Sequence, residues 1–192
     1  MKISVICLAD RPERLPCLYW SLVAQTHTDW ELIVLDQSDS MKVGFGGVMK
    51  NMPNTFDPEK VRVIKVDRRG DWGQSVKHTT AQTLALGEAF LFPNDDAYYV
   101  PRALELMSNE IIVDGAGLVV CGWLYDTVGY YPMWPHIAAG YLDIGGFMVT
   151  RRAFAMADWS DKGHEGDINM VKSVVDAKVK VSLISNVLYV KN

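Results

Sequence analysis

The chain has 192 residues, 49% of them apolar and 22% charged, with a formal net charge of −4. That length is one domain with room for a sizeable core, and the composition is that of an ordinary globular protein. With no run of like charges, a protein whose main work is gripping phosphate backbones is excluded, although a local basic groove is not.

The opening MKISVICLA turns charged at DRPER, so it is too short for a signal peptide or a bilayer span, and no other window approaches eighteen apolar residues. Residues 2–7, KISVIC, form a continuous β-branched run, as expected of a strand covered on both faces. Cys7, Cys17 and Cys121 are odd in number and lack zinc-ligand spacing, which points to small buried hydrophobes in a reduced, cytoplasmic protein. The stretch RPERLPCLYWSLVAQT predicts a helix opening at Pro12, with Leu15, Leu18, Leu22 and Val23 at helical spacing. WELIVLD (30–36) is a second buried strand. A strand, a helix and a strand within thirty-six residues make a βαβ unit, hence a parallel pair with a right-handed crossover.

Residues 37–58 read as loop, and VGFGG (43–47) lacks the Lys-Ser/Thr of a phosphate loop. KVRVIKV (60–66) is a third strand. GQSVKHTTAQTLALGE (73–88) is a helix carrying Val76, Ala81, Leu84 and Ala85 on one side, and AFLFP (89–93) is a fourth strand. Pro101 starts another helix, and GLVVCGW (117–123) is a further strand. The aromatic, turn-rich residues 124–142 are expected to be a binding loop. IGGFMVT (144–150) is a strand, RRAFAMADW a short helix, EGDINMVKSVVDA a longer one, and KVSLISNVLYV closes with one or two strands. The class is α/β, a single domain without repeats or linkers. Ligands of open α/β sheets sit outside the carboxyl ends of the strands, where Asp36, Asp95 and Asp96 fall.

The adjacent Asp95 and Asp96, in FLFPNDDAYYVP, repel one another unless something cationic or hydrogen-bonding meets them. Pro-Asn-Asp-Asp is good turn chemistry. The same carboxylates also suit a hard divalent cation.

Read together, these segments resemble the family 2 inverting glycosyltransferases with the glycosyltransferase-A fold. The opening ISVICLADRPERLPCLYWSLVAQTHTDWELIVLD is similar to that family's N-terminal signature, and ALGEAFLFPNDDAYYVPRAL to its A-x-G-E strand and Asp-x-Asp-type motif. IGGFMVTRRAF, HEGD before a helix, and VLYVKN match later landmarks in order. The resemblance implies a Rossmann-like sandwich with a mostly parallel central sheet, a nucleotide part over about 1–100 and an acceptor part over about 101–192. It implies transfer from a nucleotide-diphosphate sugar, a UDP-sugar by default, to an acceptor hydroxyl, with Mn2+ or Mg2+ as cofactor.

By the same resemblance Asp95 meets the nucleotide ribose and Asp96 the metal. Asp36 and Gln37 stand where relatives carry two aspartates reading base and ribose; an amide donates as well as accepts, so Gln37 leaves base identity open. Asp10 and Arg11 line the nucleotide or form a solvated helix-entry turn. Lys77 faces the donor or is a surface lysine, and Trp72 stacks on a ring or packs under a loop. The acceptor base is Asp167, with Glu165 the alternative; an aspartate at that point is also an ordinary helix cap. Lys191 stands where relatives place a metal-ligating histidine. A protonated lysine cannot coordinate, but it can place its charge on the diphosphate, and His136 or His164 are candidates for the missing ligand.

Two other functions remain open on the residues. A sugar nucleotidyltransferase needs a glycine-rich basic loop after the first strand, and LADRPERLP has no glycine. A non-catalytic nucleotide-sugar or carbohydrate binding module is kept open by Gln37 and Lys191. The acceptor is a glycan, a lipid-linked sugar, a protein or a modified nucleic acid. WLYDTVGYYPMW (123–134) suits stacking on a sugar or base as well as it suits packing. No membrane span is expected, and an oligomer is possible.

Overall fold

Side-chain alternation along the strands sorts the apolar residues into two cores. In strand β1 (Ile3–Ala9), Ile3, Val5, Cys7 and Ala9 face one layer and Ile6 the other. Strands β2 (Trp30–Asp36) and β4 (Ala89–Leu91) repeat the rule: Leu32, Val34, Ala89 and Leu91 lie on the first side, Ile33, Leu35 and Phe90 on the second. The first core is covered by α1 (Leu15–Val23) and α3 (Ala103–Ile112). The second is covered by α2 (Gln74–Thr83), α4 (Arg151–Phe154) and α5 (Gly166–Asp176). The computed structural model describes residues 1–11, 13–37, 57–67, 73–125, 129–160, 163 and 165–191.

The remaining strands are β3 (Val61–Lys65), β5 (Ala97–Tyr99), β6 (Leu118–Tyr125), β7 (Tyr131–Met133), β8 (Phe147–Thr150) and β9 (Val181–Lys191). Among the described residues they form one sheet in the order β3-β2-β1-β4-β8-β6-β9-β5, with β7 added to β6. The α/β layer architecture is as expected. The expectation of a mostly parallel sheet holds only for β3-β2-β1-β4; β8 runs antiparallel to both β4 and β6, β9 is parallel to β6, and β5 and β7 are antiparallel. The sheet is mixed because β6 leads to β8 through β7 and a 3-10 turn, with no α-helical crossover among the described residues, so the two run antiparallel.

Some local readings change. Val23 and Leu84 are exposed, Leu84 because α2 ends at Thr83. Residues 124–142 are not all loop, since β6 runs to Tyr125 and β7 pairs with it. The segment 144–150 begins as a short 3-10 turn, Ile144–Gly146, before β8. Pro12, VGFGG, Trp72 and His164 lie outside the described residues.

Two polar clusters brace the parallel half. At its floor, buried Glu31 accepts from Ser4 Oγ (2.6 Å), Leu86 N (2.6 Å) and Arg62 Nη2 (2.7 Å). Burial works to raise the Glu31 carboxyl, but these donors outweigh it and the net direction is down. Gly87 donates to Ser4 Oγ at 2.8 Å, and a Cβ there would run into Ser4. At the other edge Gln25, just past α1, donates to Ser21 O (2.9 Å) and Val100 O (2.8 Å) and accepts from Leu104 N (3.0 Å). The S-x-x-x-Q-T signature is therefore a clasp joining α1, β5 and α3.

Candidate active site

Because β1 is parallel to β2 and β4, its carboxyl end brings together the segments that follow all three. Ala9 lies opposite Asp36, and Leu8 bridges to Asn94 just before the acid pair. Asp95 and Asp96 are only 2% and 5% exposed. Their repulsion is met from the first strand end. Asp95 Oδ2 accepts from the backbone N–H of Asp10 (3.0 Å) and of Arg11 (2.7 Å). Arg11 Nη2 donates to Asp95 Oδ1 (2.7 Å) and to Asp96 Oδ2 (2.8 Å), and Arg14 Nη1 reaches Asp96 Oδ2 at 3.3 Å. Asp10, itself exposed, and the half-exposed Arg11 thus brace the acid pair from the first strand end.

Asp36 is buried and faces Lys65 at 3.4 Å, while Gln37 donates to Asp67 O at 3.3 Å. Lys77, on α2, is 2% exposed, which corrects the reading of it as a surface lysine. Burial drives its ammonium down from the ordinary lysine value, while the acids Asp143, Asp167 and Asp95 act the other way.

Lys191 ends β9, paired with β5 through Ala97 and with β6 through Tyr125. Its Nζ donates to Asp143 Oδ2 at 2.6 Å. Burial opposes its charge, but Asp143 outweighs burial and the ammonium is held above the ordinary value. Asp143 also caps the Ile144–Gly146 turn, its Oδ1 accepting from Gly145 N at 3.0 Å. Gly145 is required there, since a Cβ would collide with the buried ring of Tyr189.

Glu165 is exposed at the start of α5, and Asp167 is half-buried in its first turn, its Oδ1 accepting from Ile168 N at 2.8 Å. Asp167 is therefore not the N-cap residue. Burial pushes its carboxyl up from the usual aspartate value, and Asp143 adds to the push.

One cavity of about 890 Å3 gathers Asp10, Arg11, Gln37, Lys77, Asp95, Glu165, Asp167 and Lys191 on its wall. Asp36 and Asp96 are not among the residues on its wall. Sequence reasoning missed Asp143, Gln74 and Asn94, which also line it, and Arg14. The Asp-x-Gly preceding a strand, a turn signal, was the one hint of Asp143. His136 lies in a second cavity of about 490 Å3 with Tyr131, Trp134 and Tyr141, so it is not brought to Lys191's position.

Two neighbouring carboxylates, Asp95 and Asp96, would suit a hard divalent ion, which prefers oxygen ligands. Among the described residues no group of three His, Cys, Asp or Glu side chains could hold a metal alone. The acid pair offers carboxylate oxygens alone, and Arg11 and Arg14 address them. Among the described residues no helix is long and apolar enough to cross a membrane.

The model of the family described as "Glycosyl transferase family 2" matches residues 4–171. No curated protein matches the chain. Among solved structures, S. aureus TarS 1–349 superposes with a TM-score of 0.74 at 18% identity, over 100% of this chain and 60% of that one. The same TarS fragment in complex with UDP-GlcNAc gives 0.76 at 17% identity, over 100% and 58%. The mannosyltransferase PcManGT from Pyrobaculum calidifontis, in complex with GDP-Man and Mn2+, gives 0.74 at 15% identity, over 98% and 56%. The chain thus spans 56–60% of the length of these solved chains. The common fold is glycosyltransferase-A.

Proposed function

Because this chain belongs to glycosyl transferase family 2, we propose that it moves a sugar from a nucleotide-diphosphate donor to an acceptor hydroxyl with inversion. The observation that carries this reading is the single cavity in which Asp10, Arg11, Gln37, Lys77, Asp95, Glu165, Asp167 and Lys191 meet at the carboxyl ends of the strands. A uridine donor is the default, supported by UDP-GlcNAc in a structural neighbour, with GDP-sugars the alternative.

In this reading the segment up to about residue 100 holds the nucleotide and residues 101–192 hold the acceptor. Asp36 and Gln37 read the base and Asp95 the ribose. Leaving-group charge is met by Lys77, Arg11 and Lys191, which Asp143 holds at the cavity wall. Asp96 would hold Mn2+ or Mg2+, which when bound neutralises diphosphate charge. Asp167 takes the acceptor proton as the hydroxyl attacks opposite the leaving group. Burial raises its carboxyl and holds it at the cavity wall, whereas Glu165 is solvated. Cys7 and Cys121 are buried while Cys17, expected to be buried, is exposed; a reducing, cytoplasmic setting is part of the proposal.

The test is release of nucleoside diphosphate from a panel of UDP- and GDP-sugars, with and without Mn2+ and candidate glycan, lipid-linked, protein and modified nucleic-acid acceptors. Release that requires an acceptor supports the transferase. Nucleotide binding without turnover turns the reading to a binding module, and no nucleotide binding at all sinks both.

A further inference from the structure

Arg11 reaches the acid pair twice. Its backbone N–H and its guanidinium grip the two oxygens of Asp95 at 2.7 Å each, and the same Nη2 lies 2.8 Å from Asp96 Oδ2. One positively charged nitrogen within 2.8 Å of both carboxylates stands where a cation shared by the pair would stand. Arg14, at 3.3 Å from Asp96, backs it from the start of α1. The partners differ in freedom: the Arg11 side chain is 42% exposed, whereas those of Asp95 and Asp96 are 3% and 6% exposed. The carboxylates are fixed in the protein and the guanidinium can leave through solvent.

We infer that Arg11 is the resident counter-cation of the Asp95–Asp96 pair and competes with a divalent ion for it, so that Arg11 sets the divalent affinity of this site. The inference rests on the reading of Asp96 as the divalent seat. A divalent ion and the Arg11 guanidinium both seek the same carboxylate oxygens, and a dication placed on them repels a guanidinium held 2.7–2.8 Å away more strongly than Arg14 does from 3.3 Å of Asp96 Oδ2. A divalent ion by itself must therefore evict Arg11 into water. A diphosphate in the cavity, whose wall includes Arg11, offers the guanidinium a second anion and favours the exchange. Nucleotide and divalent ion then strengthen each other's binding, by the same factor in both directions.

Calorimetric titration of Mn2+ alone into the wild type, Arg11→Gln, Arg11→Lys and the double variant Arg11→Gln/Asp96→Asn tests this. Arg11→Gln is expected to bind Mn2+ about 5- to 150-fold tighter than the wild type, the usual span of coupling between linked sites. Arg11→Lys, which keeps the charge without the planar fork, is expected to fall between them. The gain disappears in the double variant. Equal Mn2+ affinity in the wild type and Arg11→Gln, including no binding in either, overturns the inference; if Arg11→Gln melts as unfolded, equal affinity in Arg11→Lys does so. Parallel titrations with UDP and GDP separate the two failures. Nucleotides that bind no variant sink the transferase reading, whereas nucleotides that bind while Mn2+ affinity ignores residue 11 sink only the role of Arg11.

Discussion

Asp167 and Glu165 are two residues apart on the chain yet sit in different media, one half-buried beside Lys77 and Asp143, the other in water. Asp167→Asn is expected to leave donor affinity nearly intact while transfer falls by about two to four orders of magnitude; Glu165→Gln stays near wild type. Donor calorimetry and initial rates on the two variants check this. A base must be ionised to act, and a raised carboxyl stays protonated to higher pH. The acid limb of kcat/KM should therefore lie above the ordinary aspartate value of about 3.9 and vanish in Asp167→Asn. At Lys191 the lost contact is a charge-assisted hydrogen bond that leaves Asp143 buried without its cation. Lys191→Ala should weaken UDP binding by about 1.5–3 kcal/mol, read by calorimetry with and without a chelator.

Between elements, the polar clusters carry the precision that the apolar layers lack. Gln25→Ala removes the amide that ties α1 to β5 and α3, with an expected loss of about 1–3 kcal/mol in urea unfolding. Glu31 gives a pH signature. Its folded carboxyl lies below its unfolded value of about 4.3, so its contribution is complete above that value and is lost as pH falls through the lower folded one. Glu31→Gln should be less stable at neutral pH and show a flatter acid limb of stability. The β1-α1-β2 unit and the strand-end acids were legible because continuous β-branched runs and a parallel topology leave few places for a site. The antiparallel half was not, because a period-2 pattern is blind to the direction of its partner, and β5 and β7 have three residues each. The Lys191–Asp143 pair joins residues 48 apart, which no local spacing reveals.

Across the whole molecule the cavity straddles the change from parallel to antiparallel sheet, with residues that follow β1, β2 and β4 on one side and Asp143, Asp167 and Lys191 from beyond it. Behind it, Phe92 packs against Phe90, Phe147, Phe154 and Trp159, and the indole of Trp159 donates to cavity-lining Gln74. Phe92→Ala should cost about 3–5 kcal/mol and depress nucleotide binding together with stability, seen as a matched fall in melting temperature and UDP affinity. The placement of β9 between β6 and β5 also has a kinetic consequence. The strand that follows Asp95 and Asp96 finds its partner only in residues 189–191, almost a hundred positions later in synthesis. Until that late strand slides between two earlier ones, β5 lacks its sheet partner and Lys191 is absent from the cavity wall. A nascent or refolding chain should therefore build its parallel half first and become competent for UDP only in the slowest refolding phase, because long-range strand insertion is slow.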